Sequence, residues 1–173
     1  MFLIFHVALP LIFTEIPRIK KLQINRFALV IGSLLPDLID KPLFLLGLGT
    51  GRFFTHNLLF VLMSFLFLHF STKQNLKISL PFLFGVIMHL ILDIPYVPFF
   101  YPFISYEFIV IEEPFWYWFR ALFTNFVVMI TEVTGIILFI LILVRNRLYS
   151  IKEIISYLKG NHLLPILQLR NEK

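Results

Sequence analysis

Apolar residues run in long segments separated by short breaks, and the breaks carry most of the charge. Residues 1 to 13 are apolar apart from His6 and Pro10, and a basic stretch follows with Arg18, Lys20, Lys21 and Arg26. A second segment, Phe27 to Leu35, is predicted to stop at Pro36, because the residue before a proline is biased away from helical geometry. Asp37, Asp40 and Lys41 stand at that break. Leu43 to Leu48 is apolar again, and Gly47, Gly49 and Gly51 mark a turn before a third segment, Phe53 to Phe70. The fourth, Ser79 to Asp93, opens on a serine with Pro81 soon after, a favourable helix start, and closes at Pro95. Residues 95 to 119 mix prolines, aromatic residues and Glu107, Glu112 and Glu113, which suits an interfacial loop. The fifth segment, Arg120 to Val144, exceeds the roughly 20 residues needed to cross a hydrocarbon core. Glu132 lies near its middle and is expected to pack or relay protons, paired with Thr131 or Asn125. In the tail, Ile151, Ile154, Ile155 and Leu158 recur at helical spacing with Lys152 and Lys159 beside them, the pattern of a surface helix.

The pattern predicts an all-α fold: an integral membrane bundle of four to five helices with short or half-inserted N-terminal segments and an amphipathic C-terminal surface helix. No repeat or low-complexity linker divides it, so residues 1 to 173 read as one domain with a surface tail over 145 to 173. The N-terminal segment has no basic residue before it and no small-residue cleavage site, and is predicted to be retained.

Composition points to the same solvent. Hydrophobic residues make up 59% of the chain and the mean hydropathy is +0.89, against roughly 45 to 50% apolar residues in soluble domains. A water-soluble fold of this size could not cover that much apolar surface, so a lipid bilayer is the expected partner. Charged residues are only 14% of the total, which argues against a disordered or nucleic-acid-binding chain. Cysteine is absent, so thiolate ligation and disulfides are excluded.

Of 15 Lys and Arg, four fall in residues 14 to 26, two in 71 to 78 and six from 145 onward, leaving Lys41, Arg52 and Arg120 elsewhere. The positive-inside tendency then predicts a multi-pass protein of the cell membrane. Its basic loops and C-terminus would be cytoplasmic, and residues 36 to 52 and 95 to 119 extracytoplasmic. That topology brings His6, Asp37, Asp40, Arg52, His56, His89 and Asp93 to one depth.

Ionisable groups gathered at one depth of a greasy chain call for a function. His89 and Asp93 are four apart on a helical pattern, which lets both bind one ion. Arg52 and His56 have the same spacing. Asp37 and Asp40 are three apart, close enough for one to bind and the other to bridge or to orient an imidazole. With nitrogen and oxygen donors alone, the expected cofactor is a divalent metal, zinc first, with manganese, iron or magnesium compatible. Such an ion would generate hydroxide from water near neutral pH, and Arg52 could grip a phosphate or carboxylate as a fork. The competing reading is that His56, His89 and Asp93 only hydrogen-bond one another and the backbone.

Three motifs in linked order carry a resemblance. GSLLPDLIDKPL at 32 to 43, GRFFTHNLLF at 51 to 60, and MHLILD at 88 to 93 with PYVPFFYPF at 95 to 103 resemble the membrane-bound metal-dependent hydrolase family. Its members are also described as LexA-binding, inner-membrane-associated hydrolases, and the likeness covers residues 1 to about 103. It implies a multi-helix membrane protein with a metal-dependent hydrolase site, distantly similar to helical zinc-dependent phospholipases C. What carries over is His6 as the N-terminal histidine, with Asp37, His56, His89 and Asp93. The chain departs from the commoner form of the motifs at Ile39 and Asp40, at Gly51 and at Asn57.

The residues therefore support a metal-dependent hydrolase with Asp37, Arg52 and His56 as catalytic residues and His6, Asp37, Asp40, His56, His89 and Asp93 as metal ligands. Its substrate would be a phosphoester or lipid headgroup at the bilayer face. The alternatives are a non-enzymatic metal-binding or ion-transporting membrane protein using the same cluster, and a purely structural interaction protein.

Overall fold

A computed structural model describes residues 3 to 107 and 111 to 161, and these are helical with no strand among them. Eight helices occur in the described residues: α1 (Leu3–Phe13), α2 (Pro17–Lys20), α3 (Arg26–Leu45), α4 (Leu58–Ser71), α5 (Leu76–Leu92), α6 (Pro114–Thr124), α7 (Phe126–Arg145) and α8 (Ile151–Leu158). The part of the expected tail from 162 to 173 lies outside the described residues.

Several boundaries differ from the sequence expectation, each for a local reason. Helix α3 does not stop at Pro36; it runs through Pro36 and Pro42. Each proline removes the N–H that would bond the carbonyl four residues back, and the helix is tied to neighbouring elements through other carbonyls of this stretch. The Pro36 carbonyl accepts from Thr55 Oγ1 at 2.8 Å, and the Ser33 carbonyl accepts from His89 Nδ1 at 2.7 Å. Continuity through Pro36 puts Ser33, Asp37, Asp40 and Phe44 on one buried stripe of one helix.

The third apolar segment becomes helical only at Leu58, where Asn57 accepts the Phe60 N–H at 2.8 Å as N-cap. Arg52 and His56 therefore lie in an irregular loop rather than one helical turn apart. Asn75, not Ser79, opens α5. Asn125 divides the fifth segment: its backbone is extended and its side chain accepts the N–H groups of Val127 and Val128, ending α6 and starting α7. The aromatic stretch expected as a loop contributes α6, with Pro114 at its start.

Helix α3 packs most extensively on α5, and α1 lies against both α3 and α7. Glycines make the α3 and α5 contact close. A Cβ on Gly85 would stand 2.8 Å from Ser33 N, and one on Gly32 would strike the Phe82 carbonyl. Small residues let helix backbones approach in this way. Gly135 does the same for α1, since its Cβ would lie 2.7 Å from Phe5 N. One turn away, Glu132 accepts the Phe5 N–H at 3.5 Å, so it serves the first turn of α1 instead of pairing with Thr131 or Asn125.

Two apolar clusters form the interior. One gathers Ala28, Val61, Phe82, Val86, Leu90 and Val97, and the other Leu11, Leu29, Ile142, Leu148 and Tyr157. Much of the remaining apolar surface faces outward, including Leu62, Met63, Phe67 and Phe70 of α4 and Val133, Ile137, Ile140 and Val144 of α7. Among the described residues one helix, α7, is both long and apolar enough to cross a membrane; α1, α4 and α5 are apolar but shorter.

Candidate metal centre

At one end of the bundle the α3 stripe, the loop before α4, the end of α5 and the middle of α1 bring together six of the seven residues singled out in the sequence as fully buried groups. His6, Asp37, Asp40, His56, His89 and Asp93 are each no more than 2% exposed. Arg52 sits at the edge, with a side chain 30% exposed.

Four of them converge. Asp37, His56, His89 and Asp93 each offer one ligand atom, all within 4.8 Å of one another. His56 Nε2 lies 3.0 Å from His89 Nε2, 3.6 Å from Asp37 Oδ1 and 3.5 Å from Asp93 Oδ2. His89 Nε2 lies 3.8 Å from Asp37 Oδ1 and 3.9 Å from Asp93 Oδ2. Ligands about 2.0 to 2.2 Å from a tetrahedral ion are separated by about 3.3 to 3.6 Å, so the four atoms are close to a coordination shell already. This donor set could hold a metal ion, and its two nitrogens and two oxygens suit a borderline cation.

The imidazoles are aimed by their other nitrogens. A carbonyl oxygen can only accept, so His89 Nδ1 carries a hydrogen and donates it to the Ser33 carbonyl. His56 Nδ1 donates to Asp40 Oδ2 at 2.8 Å. Both Nε2 atoms are therefore left to face the cluster, as in metal sites whose ligand histidines are held by a carboxylate or carbonyl. Two lone pairs at 3.0 Å repel unless a proton or cation stands between them. Burial alone would lower the His56 pKa, but hydrogen bonds that it donates to Asp37, Asp40 and Asp93 overcome this and raise the pKa to about 10. Cation uptake at this nitrogen would release that proton.

The remaining residues have different parts. Asp40 does not converge on the cluster; it accepts the backbone N–H groups of Phe53, Phe54 and Thr55 at 2.7, 3.2 and 3.1 Å as well as His56 Nδ1. It therefore folds the loop around its own carboxylate and sets the His56 tautomer. His6 lies beside the four: its ring is 4.3 Å from that of His89, and its Nε2 is 3.5 Å from Asp93 Oδ1. Arg52 uses its fork on Asp93, with Nε 2.7 Å from Oδ2 and a terminal nitrogen 3.2 Å from Oδ1. Lys41, read in the sequence only beside Asp40, pairs with Asp37 Oδ2 at 2.6 Å. Ser33 and Thr55 were not singled out from the sequence. Ser33 stands four residues before Asp37, so helical spacing through Pro36 was the available signal.

His69, near the far end of α4, pairs with Ser79 Oγ at 3.0 Å.

A second buried polar group lies at the opposite end. The Glu15 carboxylate accepts from Lys20, from Asn146 Nδ2 at 3.0 Å and from the Tyr157 hydroxyl at 2.9 Å. Arg26 bonds Thr14 Oγ1 at 2.8 Å and lies 4.3 Å from the Tyr157 ring centre.

A family model described as YdjM inner membrane protein matches residues 3 to 155. No curated protein and no solved structure matches the chain.

Proposed function

Since the chain belongs to the YdjM inner membrane protein family, we propose that it is a membrane-bound metal-dependent hydrolase, with Asp37, His56, His89 and Asp93 holding a divalent ion, zinc foremost. The observation that carries this reading is the pair of Nε2 atoms fixed 3.0 Å apart by Asp40 and Ser33, with two carboxylate oxygens around them. A divalent ion held there would supply hydroxide near neutral pH. Asp37 and Asp93 contribute charge, His56 and His89 contribute fixed nitrogen donors, and Asp40 keeps His56 in the required tautomer. Arg52 and Lys41 place cations beside the two carboxylates, where the charge of a phosphoester or lipid headgroup would be met. In the bilayer α7 would span at one side of the bundle, packed on α1 and α6, with the shorter apolar helices beside it. The cluster sits at its extracytoplasmic end, as the distribution of Lys and Arg suggests.

One observation favours a second reading, ion binding without turnover. Four protein ligands fill a tetrahedral shell, whereas catalytic zinc sites generally keep a position open. The Arg52 fork on Asp93 bears on this choice, because the guanidinium would compete with the ion for that carboxylate.

Metal analysis of detergent-purified protein, wild type against His89→Ala with Asp93→Ala, tests the reading jointly with a phosphodiester and phospholipid substrate screen. About one equivalent of ion in the wild type, lost in the double variant together with hydrolysis, is the expected result. Ion retained unchanged by the double variant would sink the metal centre. Ion bound with a silent screen, and vesicle ion flux that depends on His56 and His89, would favour the non-enzymatic reading.

A further inference from the structure

A cavity of about 490 Å³ opens beside the cluster, between the end of α3, the loop before α4, residues 92 to 96 and the junction of α6 with α7. The size falls within the roughly 300 to 1,000 Å³ of ordinary small-molecule sites. Its lining has two chemistries. Lys41, Arg52 and Asp93 make the charged part, and Leu92, Ile94, Trp118, Val127 and Val128 make the apolar part.

The two cations are held at the boundary between these parts. Lys41 Nζ lies 5.4 Å from the centre of the Trp118 ring, and the Arg52 guanidinium lies 5.6 Å from that of Tyr96. An aromatic ring at this distance attracts a cation while excluding water from one side of it. Arginine has five N–H donors, and the Asp93 fork takes two of them. The apolar part is supplied partly by the first turn of α7, the helix long enough to span the membrane, and Val127 there is 60% exposed. A chain lying along it can reach the hydrocarbon region without crossing water.

We infer that this cavity binds an anionic amphiphile, with a phosphate-type head against Lys41 and Arg52 and a hydrocarbon chain along the start of α7. The inference rests on the hydrolase reading in one respect: it gives that site a substrate class, because the head would lie next to Asp93 and the ion. A neutral amphiphile would leave two cations without a partner in the ligand, and an inorganic anion would leave the apolar wall uncovered. Recognition therefore requires both halves of the molecule.

The test is calorimetric titration of the full chain in neutral detergent with dioctanoyl phosphatidic acid, dioctanoylglycerol and inorganic phosphate. The expected result is that phosphatidic acid binds at least roughly tenfold tighter than either of the other two. Filling the cavity with Ala121→Trp or Val128→Trp should weaken phosphatidic acid binding by roughly tenfold or more while leaving metal content unchanged. Ala121→Leu and Val128→Phe give the same comparison with smaller side chains if the tryptophan variants do not fold. Equal binding of phosphatidic acid and dioctanoylglycerol would overturn the inference. So would inorganic phosphate binding as tightly as the lipid, or filled variants that bind like wild type. Absence of bound metal would overturn the hydrolase reading by itself, whereas the cavity stands or falls on the filled variants.

Discussion

His89 on α5 donates its Nδ1 hydrogen to the backbone carbonyl of Ser33 on α3, 2.7 Å away, and that bond decides where Nε2 points. A carbonyl oxygen has two lone pairs, so the Ser33 carbonyl can take this hydrogen in addition to a helical one. The histidine reaches it because Gly32 and Gly85 let the two backbones touch. A close helix contact and a spare carbonyl lone pair together fix one ring nitrogen of the candidate metal centre.

Gly85→Val tests that coupling. Its side chain would press on Ser33 N and the Leu29 carbonyl, both backbone groups that cannot rotate aside. Overpacking of this kind costs about 1 to 3 kcal/mol. The variant should melt lower in detergent, and ion content should fall with the loss of the His89 to Ser33 bond. A variant with wild-type melting and wild-type ion content would show that α3 and α5 are not held this closely.

Asp40→Asn should separate orientation from ligation. The amide keeps the size of the carboxylate but loses its charge and one acceptor position among Phe53 N, Thr55 N and His56 Nδ1. Loss of a carboxylate that orients a metal-binding histidine typically weakens metal affinity by about 10 to 100-fold. Titration with zinc against a competing chelator would measure this, and an effect as large as that of His89→Ala would make Asp40 a ligand instead.

Arg52→Met should have the opposite profile. The substitution releases Asp93 from the guanidinium fork, so ion affinity should stay at the wild-type level or rise. Hydrolysis of a phosphodiester should fall by about 10² or more, the usual effect of removing one charge-stabilising donor. Parallel loss of ion and activity would show that Arg52 supports the ligand set, not the substrate.

Much of the site was legible in the sequence because its residues are chemically out of place in an apolar chain. His89 and Asp93 stand at helical spacing and Asp37 and His56 fall beside turn signals, which led to the expectation of one shared depth; the structure brings a ligand atom of each within 4.8 Å of the others. The roles of Asp40 and Lys41 were not legible, since adjacency in sequence does not say which way each side chain turns. The helix sends the two side chains in different directions: Asp40 serves the loop and Lys41 reaches back one turn to Asp37. Pro36 was misleading for a related reason. Proline disfavours helix locally, but here Thr55 and His89 tie the same turns of α3 to other elements, which no local rule contains. The number of membrane spans was likewise inferred from apolarity, and α1, α4 and α5 are apolar helices of 11, 14 and 17 residues.

The polar group at the other end of the bundle gives the pH dependence. Burial would raise the Glu15 pKa, but donation from Lys20, Asn146 and Tyr157, with the Lys20 charge, holds it below its ordinary value. A carboxylate with a depressed folded pKa adds stability that is present above its unfolded pKa, about 4.3, and is lost as pH falls through the folded value. Glu15 links the α1 end to Asn146 after α7 and to Tyr157 on α8, so its protonation should loosen α8. Limited proteolysis or hydrogen exchange of residues 151 to 158 should show increasing exposure as pH falls below about 4. Glu15→Gln should be less stable at neutral pH by about 1 to 3 kcal/mol, the usual result of leaving buried donors poorly matched, and should flatten this acid dependence. An acid transition of α8 equally steep in Glu15→Gln would assign the effect to another group.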